Sequence, residues 1–396
     1  MLTGKHILLG VTGGIAAYKT ASLASMLVKL HADVHVIMTE NAQKMISPAV
    51  FEALTGNRTV NDVFDRHSGY QVAHIAMAQE ADVIMTAPAT ANMIAKLAGG
   101  IADDMLSTVM LAATAPVYVV PAMNTHMFEH AATQANIEKI RSYGYHVVEP
   151  ASGHLACGDT GKGKMPEPEE LLEYILYEAA FKKDMAGKRV LVTAGPTREA
   201  IDPVRFITNH STGKMGYALA RNAAYRGAET VLVTGPVSLR VPYGVEAVQV
   251  TSAQEMYEAV AERFDSQDIV VMAAAVADYR PVHAAAEKIK KQDAESVLKL
   301  ERTKDILASM SARRKGQFLC GFSMETEHML ENSMHKLEKK NLDMIAANNL
   351  RTEGAGFGTD TNIVTLITRN DVKNLPQMSK DDTAAAIFDA ISAQLA

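Results

Sequence analysis

The densest group of reactive residues in this chain is Ala156-Cys157-Gly158-Asp159-Thr160-Gly161-Lys162-Gly163-Lys164-Met165. Cys157 is one of two cysteines among 396 residues, and three glycines, an aspartate and two lysines follow it within seven positions. Glycines permit positive φ angles and close approach of backbone to a ligand. A thiol at the head of such a segment reads as a mobile flap over a reaction site. An ordinary surface loop with an inert cysteine has the same composition, because thiol reactivity is set by its surroundings. His74 stands in Val72-Ala73-His74-Ile75-Ala76-Met77, at the start of a helical segment. It is a candidate catalyst in an apolar setting that more often belongs to a packing residue.

Two further clusters suit phosphate chemistry. Thr12-Gly13-Gly14 forms a glycine turn between an apolar strand and a helix. Free N–H groups and the helix dipole there face an anion. The dinucleotide pattern G-x-G-x-x-G is absent, the spacing being G-x-x-G-G, and Glu40 after Thr39 is poorly placed as a ribose ligand. A mononucleotide phosphate is favoured over NAD; a turn that only packs helix on strand is the alternative. Glu287-Lys288-Ile289-Lys290-Lys291 is either a solvated charge run or a triphosphate clamp. No G-x-x-x-x-G-K-[ST] occurs, so this is not a P-loop enzyme.

The elements that must hold these groups follow from hydrophobic pattern. Strands are expected at 6–11, 33–38, 81–87, 117–120 and 146–149, with helices over 15–30, 104–113, 136–143 and 168–181. Polar residues collect after the strands at Thr12–Gly14, Pro88–Asn92 and Pro121–Asn124, the carboxyl edge where α/β proteins bind ligands. Lys182–Gly187 reads as a linker. The pattern then restarts, with strands at 189–193, 230–234, 268–273, 318–322 and 343–347 and helices at 217–226, 253–264 and 326–340. A β-like tail at 362–368 and a closing helix at 381–395 complete it. The expected fold is two doubly wound, mostly parallel α/β domains, 1–184 and 185–396, the first flavodoxin-like.

Composition narrows the function. Hydrophobic residues make up 48% and charged residues 21%, with a formal net charge of −6, as in ordinary globular proteins. No polybasic stretch points to nucleic acid or to an anionic membrane. The apolar run Ile7–Val11 is too short for a signal peptide, and none approaches the ~20 residues of a membrane span. Two cysteines suit a reducing cytoplasm better than a disulfide framework.

Taken together, the motifs resemble a known family. The first half resembles the flavin-containing cysteine decarboxylases through Gly13-Gly14-Ile15-Ala16-Ala17-Tyr18-Lys19, Ala87-Pro88-Ala89-Thr90-Ala91-Asn92, Pro121-Ala122-Met123-Asn124 and Ala156-Cys157-Gly158-Asp159. The second half resembles the phosphopantothenate–cysteine ligases. The matching motifs are Ala194-Gly195-Pro196-Thr197-Arg198-Glu199, Asn209-His210-Ser211-Thr212-Gly213-Lys214-Met215-Gly216, Ala275-Val276-Ala277-Asp278 and Lys288-Ile289-Lys290-Lys291. In this order they resemble the bacterial bifunctional proteins of coenzyme A biosynthesis over essentially the whole chain.

For the first domain the resemblance implies FMN, with its phosphate near Thr12, Gly13 and Gly14 and further contacts from Thr39, Thr90 and Ser107. It implies His74 as catalytic base, Asn124 as the amide for the substrate carboxylate and Cys157 as proton donor. The implied reaction is decarboxylation of phosphopantothenoylcysteine to 4'-phosphopantetheine. For the second domain it implies ligation of cysteine to 4'-phosphopantothenate with CTP, through an acyl-cytidylate and loss of pyrophosphate, with Mg2+. Lys288 would assist formation of the intermediate and Asn209 its handling. Met272, Ala273, Ala274, Asp278, Lys304, Asp305, Ile306, Leu307, Phe322, Lys336 and Lys340 match nucleotide-contacting positions, and the metal ligands stay unassigned. The resemblance also implies homo-oligomers whose sites are shared between subunits.

The chain departs from the family pattern at Lys164, where arginine is usual, and at Ser323-Met324, Asn349 and Lys304. A regulatory flavoprotein is a second reading, opposed by Cys157 and the full second domain. An NAD-dependent oxidoreductase is a third, opposed by the missing glycine fingerprint.

Overall fold

The computed structural model describes residues 1–64, 73–155, 158–290, 297–325, 328–349 and 358–395; Cys157, Lys291 and the expected helix start at Thr326 lie outside them. The chain divides into two compact units, Met1–Phe181 and Lys182–Ala396.

In the first unit, β1 (His6–Val11), β2 (Asp33–Met38), β3 (Val83–Ala89), β4 (Val117–Pro121) and β5 (His146–Val147) form one parallel sheet in the order β2-β1-β3-β4-β5. This is the flavodoxin-like order, with its switch point between β1 and β3. Ile7, Leu9, Val83, Ile84, Met85 and Val119 are fully buried. Continuous apolar runs of this kind are what strands covered on both faces require. At Gly10 a Cβ would lie 2.5 Å from Leu106 Cδ1, so the helix Met105–Ala112 packs directly on β1. The antiparallel pair β6 (Ala151–His154) and β7 (Thr160–Lys164) brackets the cysteine segment.

The second unit contains β8 (Arg189–Ala194), β9 (Arg198–Ala200), β10 (Phe206–Thr208), β11 (Glu229–Thr234), β12 (Val245–Gln249), β13 (Ile269–Met272) and β14 (Tyr279–Pro281). It continues with β15 (Leu300–Arg302), β16 (Phe318–Glu325), β17 (Met344–Asn349), β18 (Thr361–Asn362), β19 (Val364–Thr368), β20 (Val372–Asn374) and β21 (Met378–Ser379). The main sheet runs β12-β11-β8-β13-β16-β17-β19-β20, parallel except where β19 and β20 are added antiparallel at one end. The helix Lys214–Tyr225 approaches so closely that a Cβ on Gly216 would lie 2.5 Å from Ala194 Cβ. Only glycine permits that approach. The doubly wound architecture expected from the sequence is present in both units.

Several boundaries differ from the pattern reading. The helix expected from residue 136 spans Ala131–Ser142, its first turn too polar to read as periodic. Helix Lys214–Tyr225 starts three residues early, behind the positive φ of Gly213. Helices Pro48–Thr55 and Ala91–Gly99 and the short pairs β9–β10, β14–β15 and β18–β21 were not expected. No helix among the described residues is long and apolar enough to cross a membrane.

Candidate functional site

In the first unit the expected cofactor residues gather at the carboxyl edge. Thr12, buried at the end of β1, donates to the Pro88 carbonyl at 2.7 Å and accepts from Thr90 N–H at 3.1 Å. One hydroxyl thus ties the β1 turn to the β3 turn. A Cβ on Gly13 would lie 2.6 Å from Asn41 Cβ, and one on Gly14 3.3 Å from Pro88 Cγ. The turn is therefore packed between the ends of β2 and β3. Thr39 and Thr90 cap their helices, accepting from Ala42 and Met93 N–H. The helix Ala17–Lys29, directly behind the glycine turn, has no side-chain cap. Its Ala17 and Lys19 amides already donate to the Gly14 and Ala16 carbonyls at 3.0 Å, so the other amides of the turn are the ones that suit a phosphate monoester.

Ser107 is buried and its hydroxyl is engaged with Asp104 in a capping box. Burial pushes the Asp104 carboxyl up, but hydrogen bonds from Lys96 and Ser107 outweigh it and hold the group below the usual range. Ser107 thus anchors the start of its helix at Asp104. His74 is the second residue of helix Ala73–Glu80, which packs on Met105–Ala112. Its Nδ1 is buried without a hydrogen-bond partner. Such an atom is costly unless a bound molecule satisfies it.

A cavity of about 320 Å³ lies beside the glycine turn, lined by Gly14, Ile15, Tyr18, Lys19, Met123, Asn124, His154, Lys164 and Met165 among others. Gly163 (φ +129°) brings β7 against it: a Cβ there would lie 2.3 Å from the Met123 carbonyl, and Met123 N–H donates to the Gly163 carbonyl at 3.0 Å. Asn124 Oδ1 accepts from His126 N–H at 2.8 Å, and Asn124 Nδ2 donates to the Asp159 carboxylate at 2.6 Å. The Asn124 amide is therefore oriented by its own helix, with a carboxylate already on its donor face. Lys19 is buried and donates to the Met165 carbonyl at 3.0 Å and to Glu167 at 2.9 Å. That bond keeps the Glu167 carboxyl below its usual range. Lys164 also reaches Glu167, at 3.3 Å. Neither His74 nor Ser107 lines this cavity.

In the second unit a cavity of about 480 Å³ collects Met272, Ala274, Asp278, Lys304, Asp305, Ile306, Leu307, Phe322, Lys336 and Lys340. Lys336 donates to the Phe322 carbonyl at 2.7 Å, Lys340 pairs with Asp305 at 2.8 Å, and Lys304 lies 4.4 Å above the Tyr257 ring. Asp305 also caps the helix Ile306–Arg313. Its burial would raise the carboxyl, but the Lys340 and Ala308 hydrogen bonds and the Lys336 charge hold it below the usual range. An adjoining cavity shares Asp278, Phe322 and Lys336 and contains Asn209, Gly213, Lys214, Ala273 and Lys380. Asn209 Nδ2 donates to the Ala275 carbonyl at 3.0 Å.

Lys288 is exposed and lines neither cavity. Its neighbour Ile289 is docked on the turn before β10, where Asp202 accepts Ile289 N–H at 3.2 Å and Arg205 donates to the Ile289 carbonyl at 3.1 Å. Sequence reasoning assigned no function to Lys19, Asp159 or Lys380. The first two sit inside quoted motifs, so position was a usable signal; Lys380 carries none.

Two doubly wound units, one with a phosphate-type turn beside a cavity and one with a lysine-lined cavity, define an enzyme with two ligand sites. The family model "Flavoprotein" matches residues 1–179, and "DNA/pantothenate metabolism flavoprotein C-terminal domain" matches 185–395. The Coenzyme A biosynthesis bifunctional protein CoaBC of Bacillus subtilis (strain 168) is 49% identical over 99% of this chain and 98% of its own length. That of Escherichia coli (strain K12) is 42% identical over 98% and 97%. A crystal structure of the C-terminal domain of CoaBC is 43% identical, covers 54% of this chain and 98% of that one, and superposes with a TM-score of 0.47. The chain belongs to the family of coenzyme A biosynthesis bifunctional proteins. It is an enzyme of coenzyme A biosynthesis with ligase and decarboxylase activities.

Proposed function

We propose that residues 1–184 bind FMN and decarboxylate phosphopantothenoylcysteine, and that residues 185–396 make that compound from 4'-phosphopantothenate, cysteine and CTP. The reading is supported above all by the convergence of Asp278, Lys304, Asp305, Phe322, Lys336 and Lys340 on one cavity. Three lysines of compact charge suit a triphosphate, whose charge they neutralise as pyrophosphate leaves. Asp278 and Asp305 are the carboxylates able to share a triphosphate-bound Mg2+. Asn209, in the adjoining cavity, would hold the acyl intermediate while the amine of cysteine attacks. Lys288 would reach the acyl phosphate after the loop around Ile289 shifts from its Asp202–Arg205 dock.

In the first domain the glycine turn and the uncapped helix Ala17–Lys29 fit the FMN phosphate. Thr12, Thr39 and Thr90 frame that turn. The flavin, when bound, supplies oxidation of the substrate's thiol-bearing carbon and returns the electrons after CO2 has left. The chain orients and protonates. Asn124 Nδ2 takes the substrate carboxylate, a position for which the Asp159 carboxylate is a stand-in. His74, with an unpartnered Nδ1, accepts a proton. Cys157 donates the last proton to carbon.

His74 lies outside the cavity of Asn124, while Ile15 and Tyr18, which line it, are 68% and 61% exposed. Both observations favour a homo-oligomer in which His74 and Asn124 of one site come from different subunits. The site of action is the cytoplasm. The test is to incubate the protein with 4'-phosphopantothenate, cysteine and CTP, then with ATP, and to weigh the product. Phosphopantetheine formed with CTP supports the reading. A colourless protein that takes up no FMN and forms neither product would sink it.

A further inference from the structure

We propose that the first unit carries a zinc-type metal site at the amino edge of its sheet, formed by His6, Asp33 and His35. The edge is opposite the carboxyl edge that holds the cofactor residues. His6 opens β1, and Asp33 opens β2 directly beside it in the parallel register. Residues two apart on a strand share a face, so His35 lies on the same side as Asp33. The topology therefore places two imidazoles and one carboxylate together without any loop.

The distances suit a metal. His6 Nδ1 lies 3.1 Å and His35 Nε2 3.3 Å from the same atom, Asp33 Oδ2. The three donor atoms all fall within 4.8 Å of one another. Around a tetrahedral ion with bonds of about 2.0–2.2 Å, donors lie about 3.3–3.6 Å apart, so the two imidazole–carboxylate distances need open by only a few tenths of an ångström, and the two ring nitrogens, within 4.8 Å of each other, must settle to the same spacing. The other carboxylate oxygen is already fixed: Asn57 Nδ2 donates to Asp33 Oδ1 at 2.8 Å and to the Val34 carbonyl at 3.0 Å. This outer bond leaves Oδ2 turned toward the two rings, as the supporting partner of a metal-binding carboxylate does. His6 and His35 also line a small cavity with Met77 and Glu80, which gives the fourth position to water or to a carboxylate. Two imidazoles select zinc, copper or nickel over magnesium or calcium.

The experiment is a zinc titration of the full-length, tag-free protein in chelator-treated buffer containing millimolar Mg2+, beside His35→Gln and the double variant His6→Gln/His35→Gln. Wild type should bind one zinc per chain more tightly than any further zinc, and each variant should lose at least tenfold in affinity for it. Copper(II) in the same place should show hyperfine coupling to two nitrogens in wild type and to fewer in His35→Gln. Melting temperature without metal serves as the folding control, and zinc should raise it in wild type but not in the double variant. Equal zinc binding by wild type and a folded double variant would overturn the proposal, as would no zinc bound by wild type at one equivalent.

Discussion

The carboxyl edges of the two sheets are built alike and filled differently. Both place a glycine turn after a central strand, at Thr12–Gly14 and at Gly195, and the next helix of each unit, Ala17–Lys29 and, beyond the pair β9–β10, Lys214–Tyr225, has no side-chain cap. Thr39, Thr90, Asp104, Ser252 and Asp305 cap helices elsewhere, while Pro48–Thr55, Pro168–Ala179 and Met329–Lys339 also lack a side-chain cap. Beyond that shared device they diverge. The first edge surrounds its turn with threonine hydroxyls, and the cavity beside it is lined by the Asn124 amide and by Lys19 and Lys164, both tied to Glu167. The second collects Lys304, Lys336 and Lys340 around one cavity. An edge of hydroxyls, an amide and lysines held by a carboxylate suits a flat cofactor and proton transfer, whereas an edge that gathers three lysines on one cavity suits a polyphosphate and its leaving group. One architecture thus carries two chemistries, chosen by the side chains that follow the strands.

If that contrast is right, substitutions should separate the two activities. The largest effect is expected for His74→Gln, which should slow decarboxylation of supplied phosphopantothenoylcysteine by about 10²–10⁴-fold. Pyrophosphate release from the ligation step should stay at the wild-type rate. Next, Lys340→Ala leaves the Asp305 carboxylate without its partner beside the proposed triphosphate position. Its KM for CTP should rise by about tenfold to a hundredfold, the worth of one charged hydrogen bond, with decarboxylation untouched. A rise in both KM values would break the division between edges.

Two smaller effects probe packing in the second unit. Gly216→Ala pushes a methyl group into Ala194 and should cost about 1–3 kcal/mol of stability, seen as a lower urea midpoint. Cys320 is fully buried on β16, and burial pushes its thiol up to about 12. The unfolded thiol titrates near 8.5, so the native state holds an extra proton above that pH and this contribution to stability falls as pH rises toward 12. Iodoacetamide at pH 9 should leave Cys320 unlabelled in the native protein and label it in urea. Native labelling would show that β16 is less well enclosed than the structure has it.

The sheets were legible because both have buried central strands, which read as short apolar runs bounded by glycine and small polar residues. The glycine turns were legible for the same reason, since Thr12-Gly13-Gly14 follows such a run. The hairpin β6–β7 was not, because Ala-Ser-Gly-His and Thr-Gly-Lys-Gly-Lys show no apolar alternation. It forms because Gly163 lets its backbone bond to Met123. Gly216 hid the start of its helix, glycine being a poor helix former, and only the contact with Ala194 explains it. Helix Pro48–Thr55 carried readable signals, Ser47-Pro48 at one end and Gly56 at the other, that hydrophobic pattern alone passed over. At the sites, motif order pointed to Asn124 and to Lys304, Lys336 and Lys340, each of which lines a cavity, and to Lys288, which lines neither; the Asp159 contact joins residues 35 apart and no motif shows it. The His6–Asp33–His35 trio depends on strand register, which no local pattern encodes.

The central claim is that two edges act in series through a released intermediate. It is tested most directly by mixing two disabled proteins, His74→Gln and Lys336→Ala/Lys340→Ala, with 4'-phosphopantothenate, cysteine and CTP. Each alone should form little phosphopantetheine, the first accumulating phosphopantothenoylcysteine. The mixture should restore phosphopantetheine formation to a large fraction of the wild-type rate. A mixture as inactive as either protein alone, with no intermediate accumulating, would contradict the account.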